Sequence, residues 1–556
     1  NNFRDVRKMN DKYDFVIVGA GSSGCVMANK LSADPSVSVL LIESGPDDKS
    51  PLIAMPRGIG KLLAPGNPHI WDYKVSRSSG GVEDVWLKGR AIGGSSSING
   101  MVYVRGAPED YDAWEADGCT GWGWHNMGRH FNELEDHVLG KAEWRGTGGP
   151  LKISVHPSGD PLCEAILNAG AQAGAPRVDD VNSVNTKGQG GLGYQTQTTW
   201  KGRRFSAANA FLDPARARPN LTILTDTNAL RINFEYKRAS SLTLRNRQRQ
   251  WKVGIGKELI LCAGAIESPK LLQLSGVGPA DLLSSLEIPV ISDSPNVGRN
   301  LREHLYMATQ YRVKSHSLNN RFAGLGLLSS LWQYFTGRKG PMTHAAHEAG
   351  GFAKTSPELD RPDIQVGISL YSWAKVNEVA VVEKEHGLTL GAYFMRPESQ
   401  GEVSIRSADP DVAPYINANY LSAEQDRSSA VALYRWLRKL AGQPALAPFM
   451  VAATTPADTA KTHEEILEVF LKEGQTAFHV SGTCRMGSDA ESVLDPALKV
   501  RGVSGVRVVD TSVMPTLVSG NTNAPAMAIA LHAAEIIDLE LAQKSSRRTV
   551  SPAEQL

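Results

Sequence analysis

Tyr13-Asp14-Phe15-Val16-Ile17-Val18-Gly19-Ala20-Gly21-Ser22-Ser23-Gly24 is the stretch on which the fold turns. A short run of β-forming apolar residues stops abruptly at three glycines spaced GxGxxG, and Val26, Ala28 and Leu31 then continue at helical spacing. The spacing predicts strand, glycine turn and helix. A second apolar run, Val37 to Ile42, ends at Glu43 and completes a βαβ unit. In such a unit Gly19 allows the tight turn, Gly21 lets the backbone approach a pyrophosphate and Gly24 permits close helix–strand packing. The exposed N–H groups of the turn, including those of Ser22 and Ser23, then face phosphate oxygens, and Glu43 accepts hydrogen bonds from ribose hydroxyls. A fingerprint alone also fits a structural glycine turn, and Glu43 alone a solvated strand end; the flanking strand and helix together favour dinucleotide binding. NAD and FAD satisfy this pattern equally.

Further pieces of the same architecture lie far along the chain. Glu258 to Cys262 reads as a buried strand followed by a helix through Leu271 and Leu274, and Val506 to Val509 as a strand ending at Asp510. A last apolar helix is expected from Pro525 to about Leu541. The stretch from His316 to Gln475 lacks a glycine fingerprint and reads as a second domain inserted into the first. Arg238 to Lys257 reads as a hairpin with a solvated basic turn rather than a binding patch.

Composition narrows the function classes. At 556 residues the chain is too long for one core, and 41% hydrophobic with 21% charged residues excludes wholesale disorder. A net charge of +1 is too balanced for gripping nucleic acid through counterion release. The five scattered cysteines suggest neither a disulfide framework nor a zinc ribbon. The polar start, Asn1 to Asp11, carries no apolar signal-peptide core, and no run is long and apolar enough to span a bilayer. These features predict a soluble cytoplasmic protein, with peripheral membrane association left open; because the chain begins with Asn, a removed leader is left open as well. Nothing in the sequence speaks to oligomeric state.

Two longer strings separate FAD from NAD. Gly89-Arg90-Ala91-Ile92-Gly93-Gly94-Ser95-Ser96-Ser97-Ile98-Asn99, with Tyr103, Gly106 and Asp112 after it, resembles the first signature of the glucose-methanol-choline (GMC) flavin oxidoreductase family. Gly264-Ala265-Ile266-Glu267-Ser268-Pro269, running on to Ser275-Gly276-Val277-Gly278, resembles the second. The likeness spans roughly Tyr13 to Ile537 and is nearest in spacing to bacterial choline-dehydrogenase-like alcohol dehydrogenases. It implies an α/β chain with a Rossmann-like FAD-binding domain and an inserted α+β substrate domain built on an antiparallel sheet. The expected FAD-binding domain takes residues 12–155, 203–315 and 478–543, the substrate-binding domain 156–202 and 316–477, and a disordered tail 544–556. Arg90, Gly93, Gly94, Ser95, Asn99, Ala229, Asp510, Asn521 and Thr522 join the glycine turn and Glu43 as expected cofactor contacts. In relatives that attach FAD covalently a histidine precedes the signature asparagine; Ile98 stands there, so FAD is expected to be held non-covalently.

The reactive groups come late. Phe478-His479-Val480-Ser481-Gly482-Thr483-Cys484-Arg485-Met486-Gly487 resembles the family segment presenting a catalytic histidine, and Gly520-Asn521-Thr522-Asn523-Ala524-Pro525 the one presenting its His or Asn partner. The resemblance implies oxidation of an alcohol CH–OH, with His479 as base, Asn521 orienting the hydroxyl and flavin N5 taking the hydride. Asn521 also reads as a helix cap. Choline-specific relatives carry an acid two positions after the histidine of a segment resembling Asn300 to His304; here that place is Tyr306, which implies a preference for neutral primary alcohols over choline. Phe478 resembles an aromatic residue of aryl-alcohol oxidases, so Tyr306 and Phe478 are expected to line the substrate space. The acceptor is expected to be a quinone-like oxidant, with O₂ the alternative. Rival readings are a hydroxynitrile-lyase-like activity on the same fold and a non-catalytic FAD-stabilised binding protein. A light-driven decarboxylase is disfavoured by His479 and by Met395 where that activity places a cysteine. His344 and His347 with Glu348 form an HxxH lacking a third spaced ligand, so no metal is expected. Phe322 to Trp332 fits a lid or an inserted core helix, of which core is the expectation.

Overall fold

The computed structural model of the protein describes residues 10–78, 83–376 and 379–549. Lys12–Val18 lies at the centre of a seven-stranded sheet, parallel to Val39–Ile42 on one side and to Gln250–Leu261 on the other. Its buried residues on both faces, from Phe15 to Val18, explain why an uninterrupted apolar run was needed. Leu221–Leu224 extends the sheet beyond Val39–Ile42. The twelve-residue strand Gln250–Leu261 has two neighbours on its far side: its first half pairs antiparallel with Arg238–Arg245, its last residues parallel with Val506–Val508. The expected hairpin is present, and the Asn246 side chain accepts the N–H groups of Gln248 and Arg249 in its exposed turn. The parallel strands end on one edge, delivering Gly19, Glu43, Cys262 and Asp510 to the same crevice, the place where open α/β sheets bind ligands. The helix Ser22–Leu31 packs on this sheet and against the first turns of Asn523–Thr549, with Ser23 Oγ donating to the Ala526 carbonyl at 3.0 Å.

A second sheet runs Met450–Thr455, Leu305–Val313, Gly387–Phe394, Ile364–Ser369, Ala349–Ala353 and Gly191–Tyr194, every neighbouring pair antiparallel. Alternation sorts its two faces. Met307, Tyr311, Leu390, Val366 and Ile368 pack with the helices Pro161–Ala173 and Glu424–Ala441. The opposite face carries a row with almost no side chains, because Ala308, Gly391, Gly367, Gly350 and Gly193 lie in register across five strands. A Cβ at Gly391 would run into the Tyr306 hydroxyl, and one at Gly367 would stand 3.1 Å from the His347 ring. The glycines thus let both rings lie flat against the sheet.

Three expectations need correction. Leu305–Val313 is an interior strand of the second sheet, so the boundary set at residue 315 falls too late; likewise Tyr73, Val75 and Trp86, from the expected FAD segment 12–155, pack in the second core. The apolar stretch from Phe322 becomes the helix Gly324–Gly337, whose Leu325, Leu328 and Trp332 are exposed rather than core. Sequence periodicity fails there because apolar residues occupy both sides of the helix. The last helix continues to Thr549, so 544–549 are helical; the rest of the expected tail lies outside the described residues.

Candidate active site

The crevice at the strand ends opens into a cavity of about 670 Å³. Gly19, Gly21, Ser22, Ser23, Glu43, Gly94, Ser95, Asn99, Ala229, Asp510, Asn521, Thr522, Phe478 and His479 stand on its wall. Gly24, Arg90, Gly93 and Tyr306 lie behind it: Arg90 stacks on Trp71, and Tyr306 covers Gly391. Gly21 and Gly94 approach so closely that a Cβ on Gly94 would come within 2.6 Å of the Gly21 Cα, and Gly19 and Gly94 both have positive φ. Two glycine turns therefore form one bare backbone cradle. Glu43 is buried, its two oxygens accepting the N–H groups of Ala20 (3.0 Å) and Gly45 (2.9 Å). Burial pushes its carboxyl above the ordinary range while those donors oppose the rise. Asp510 ties its own turn to the helix Gly264–Leu274, accepting from Gly264 N–H (2.9 Å), Ser268 Oγ (2.6 Å) and Ser512 N–H (2.8 Å). A bare cradle with the Glu43 carboxylate at the end of the second strand, Val39–Ile42, fits a dinucleotide. Ile98, also on the wall, packs with Ile53, Leu62 and Ile70 and offers no nitrogen for a covalent link.

At the other end of the cavity the chain brings two histidines together. Gln475–Thr476 pairs with the start of Leu305–Val313, and Arg302 and Ser481 exchange backbone hydrogen bonds at 3.1 and 3.0 Å, so the segments 300–306 and 475–482 run side by side. Phe478 between them adopts a left-handed backbone, φ 65°, which turns His479 toward His304. The Nδ1 atoms of the two rings are 2.9 Å apart, and His304 Nε2 is 2.8 Å from the Met395 carbonyl oxygen. The carbonyl can only accept, so His304 carries its proton on Nε2 and its Nδ1 is a lone pair. His479 must then donate Nδ1–H to it, leaving His479 Nε2 as a lone pair. That nitrogen accepts from Asn521 Nδ2 at 3.0 Å. The Asn521 amide is in turn oriented by Gln365 Nε2, which donates to its Oδ1 at 2.8 Å, and Gln365 by Tyr393 Oη, which donates to its Oε1 at 2.5 Å. The result is a directed chain from Tyr393 through Gln365, Asn521 and His479 to His304. Its histidines, Gln365 and Tyr393 are buried.

Electrostatics keep this chain neutral at rest. Burial, then His304, then Lys88, hold His479 well below the usual imidazole range, and burial lowers His304 to about 3. Glu303 supports the backbone from behind, accepting His479 N–H at 2.8 Å and the Thr476 hydroxyl at 3.1 Å, while Lys88 Nζ donates to the Phe478 carbonyl at 2.9 Å. Met101, Val102, Ala346, His347 and Phe478 complete this end of the wall. His347 is a residue that the sequence reading weighed only as a metal ligand; its Nδ1 pairs with Ser369 Oγ at 2.9 Å, and burial lowers it to about 4. His344 instead packs against His156. Among the described residues the one group of three with metal-ligand proximity is His130, His532 and Glu535, on two packed helices away from the cavity. There the Arg129 guanidinium already donates to Glu535 Oε2 at 2.6 Å, and no metal is assigned.

Comparison with known proteins accords with this geometry. The GMC oxidoreductase family profile matches in two parts, at residues 13–306 and 397–530. The chain is a GMC oxidoreductase. Like its family it is an FAD-dependent enzyme, and the bare cradle is the part of this GMC oxidoreductase suited to the diphosphate. It is 40% identical to an alcohol dehydrogenase [acceptor] of Pseudomonas putida, over 94% of this chain and 95% of that protein. It is 38% identical to the mitochondrial choline dehydrogenase of Homo sapiens, over 95% and 90% of the two chains. Among solved structures, pyridoxine 4-oxidase from Mesorbium loti superimposes with a TM-score of 0.84 at 31% identity, covering 94% of this GMC oxidoreductase and 99% of that chain. A formate oxidase does so with 0.87 at 26% identity, covering 96% and 99%.

Proposed function

We propose that this enzyme oxidises a neutral primary alcohol to its aldehyde, with His479 as the base and a quinone-like compound as electron acceptor. The observation that carries the reading is the fixed tautomer: His304 takes the Nδ1–H of His479, so the Nε2 lone pair faces the Asn521 amide, whose N–H it accepts until a hydroxyl replaces that bond. FAD, bound non-covalently along the cradle, supplies the acceptor for the hydride that leaves the carbinol carbon. An alcohol hydroxyl entering between the two side chains gives its proton to His479 Nε2 and is oriented by Asn521. The imidazolium so formed keeps its second proton on Nδ1, shared with His304. Its low pKa returns the proton readily, and burial excludes water from the pair.

Two features support a neutral substrate. The cavity wall carries the uncharged Met101, Val102, Ala346 and Phe478 together with His479, and the Lys88 ammonium is held at the Phe478 carbonyl beside it. Glu303, which holds the backbone of His479, and Glu348, which follows His347, are committed elsewhere, Glu303 to His479 N–H and the Thr476 hydroxyl, Glu348 to Arg57 and Leu370 N–H. A trimethylammonium group beside His479 would meet the Lys88 ammonium and two carboxylates already engaged by other donors.

Anaerobic stopped-flow reduction with a panel of aliphatic, aromatic and quaternary-ammonium alcohols tests the reading. His479→Ala should slow flavin reduction at least about 10²-fold with FAD still bound, and Asn521→Ala should cost less. Reduction of His479→Ala at the wild-type rate places the base elsewhere, and a choline kcat/KM above that of every neutral alcohol of similar size removes the substrate assignment. Pre-reduced enzyme should reoxidise more slowly in air-saturated buffer than with a quinone; equal rates make it an oxidase.

A further inference from the structure

The helix Gly324–Gly337 turns an apolar ridge to solvent. Leu325, Leu328, Trp332 and Phe335 are 84%, 62%, 70% and 61% exposed. Their spacing of three, four and three residues puts all four on one side. The helix does not need that side for its own attachment. Ser330 and Tyr334 are buried on the opposite side, where Leu327 and Leu331 pack with Met55, Phe322 and Met342. Ser330 Oγ donates to the Arg321 carbonyl at 2.9 Å, and Arg321 Nη2 donates to Gln333 Oε1 at 3.0 Å, fixing the helix to the turn before it.

Charge decides what the ridge can meet. From Lys314 to His347 the sequence holds two lysines and two arginines and no Asp or Glu. At the C-terminal end of the helix Arg338 turns left-handed, φ 50°, and packs on the Gly202 turn, bringing Lys201 and Arg203 alongside Arg338 and Lys339. All four cations are exposed, and among the described residues none is ion-paired. A tryptophan-bearing apolar ridge with an unneutralised cationic end matches the chemistry of an anionic membrane interface, where apolar side chains enter the headgroup boundary and cations meet phosphates.

We propose that this ridge docks the enzyme peripherally on an anionic lipid bilayer, with Leu325, Leu328, Trp332 and Phe335 in the interface and Lys201, Arg203, Arg338 and Lys339 against lipid phosphates. No helix among the described residues is long and apolar enough to cross a membrane, so attachment of this kind lies on the surface.

The test is co-sedimentation of the FAD-loaded enzyme with phosphatidylcholine vesicles, with and without phosphatidylglycerol. Binding should require phosphatidylglycerol and weaken at high salt. The double variant Leu328→Ser/Trp332→Ser should lower partitioning at least about 10-fold, and Arg338→Gln/Lys339→Gln about fivefold per cation removed. Both variants should reduce flavin with alcohol at the wild-type rate in vesicle-free buffer, which separates lost docking from lost folding or chemistry. Enzyme that stays in the supernatant with both vesicle types, or variants that sediment like the wild type, would overturn the proposal. So would a concentration-dependent dimer abolished by Leu328→Ser/Trp332→Ser without lipid binding, since a second copy would then cover the ridge.

Discussion

His304 decides which nitrogen of His479 is basic, although it does not stand on the cavity wall. His304→Phe keeps a ring stacked near Tyr393 but removes the Nδ1 acceptor, so the His479 proton is no longer pinned away from the cavity. The expected loss in flavin reduction is about 10- to 100-fold, the range seen when a partner that orients a functional imidazole is removed. His304→Asn, which can still accept, should recover part of it; equal rates for Phe and Asn variants would mean that the ring only fills space. Because His479 is depressed by burial and needs to be unprotonated to act, the acid limb of the reduction rate should fall below pH 6.5 in the wild type. A limb at or above that value contradicts the assignment. His479 and Asn521 were legible in the sequence because each sits in a local string with a recurring form. Gln365 and Tyr393 were not, since their roles arise from strand pairing with distant segments and leave no mark in the residues around them.

At the scale of elements, the row of small residues across the second sheet acts as a mould for the side chains lying on it. Gly391→Ala drives a methyl group into the space of the Tyr306 hydroxyl. Overpacking of this kind costs about 1–3 kcal/mol and forces the phenol off the sheet toward the wall of the site. The expected result is a lower urea midpoint together with a changed KM for bulky alcohols; an unchanged KM with lowered stability would show that Tyr306 has no bearing on substrate. The first βαβ unit was readable because parallel strands buried on both faces leave continuous apolar runs. The second sheet was readable only as a class, since its glycine row breaks the alternation that marks a strand. The Gly324–Gly337 helix misled for a physical reason: a ridge kept apolar for contact with something outside the chain has the same local signature as one kept apolar for a core.

Across the whole molecule, neutral buried histidines tie stability to pH. Burial lowers His304 and His344 to about 3 and His137, His156, His347 and His532 to about 4. In the unfolded chain each titrates near ~6.5. As pH falls below that value the unfolded state takes up protons that the folded state refuses, so stability present above about pH 6.5 is lost on the way down to the folded pKa values. Buried carboxyls such as Glu303 and Asp48, raised by their own desolvation, pull the other way and are fewer in this window. The urea midpoint should therefore drop between pH 7 and pH 5. His344→Asn should flatten that dependence by up to about 1.4 kcal/mol per pH unit relative to wild type, and parallel profiles for the two proteins would refute the assignment.

The hydrogen bond from Gln365 to Asn521 crosses from the second sheet to the segment leading into the last helix, and so joins two parts of the chain that recombination would treat as separate modules. A chimaera that imports the substrate sheet from a relative therefore also imports the rotamer of an amide it leaves unaltered. Grafts that retain a glutamine donor at position 365 and a hydroxyl behind it should inherit turnover, whereas grafts chosen only to reshape the substrate space would detune the very pair of side chains they were meant to serve.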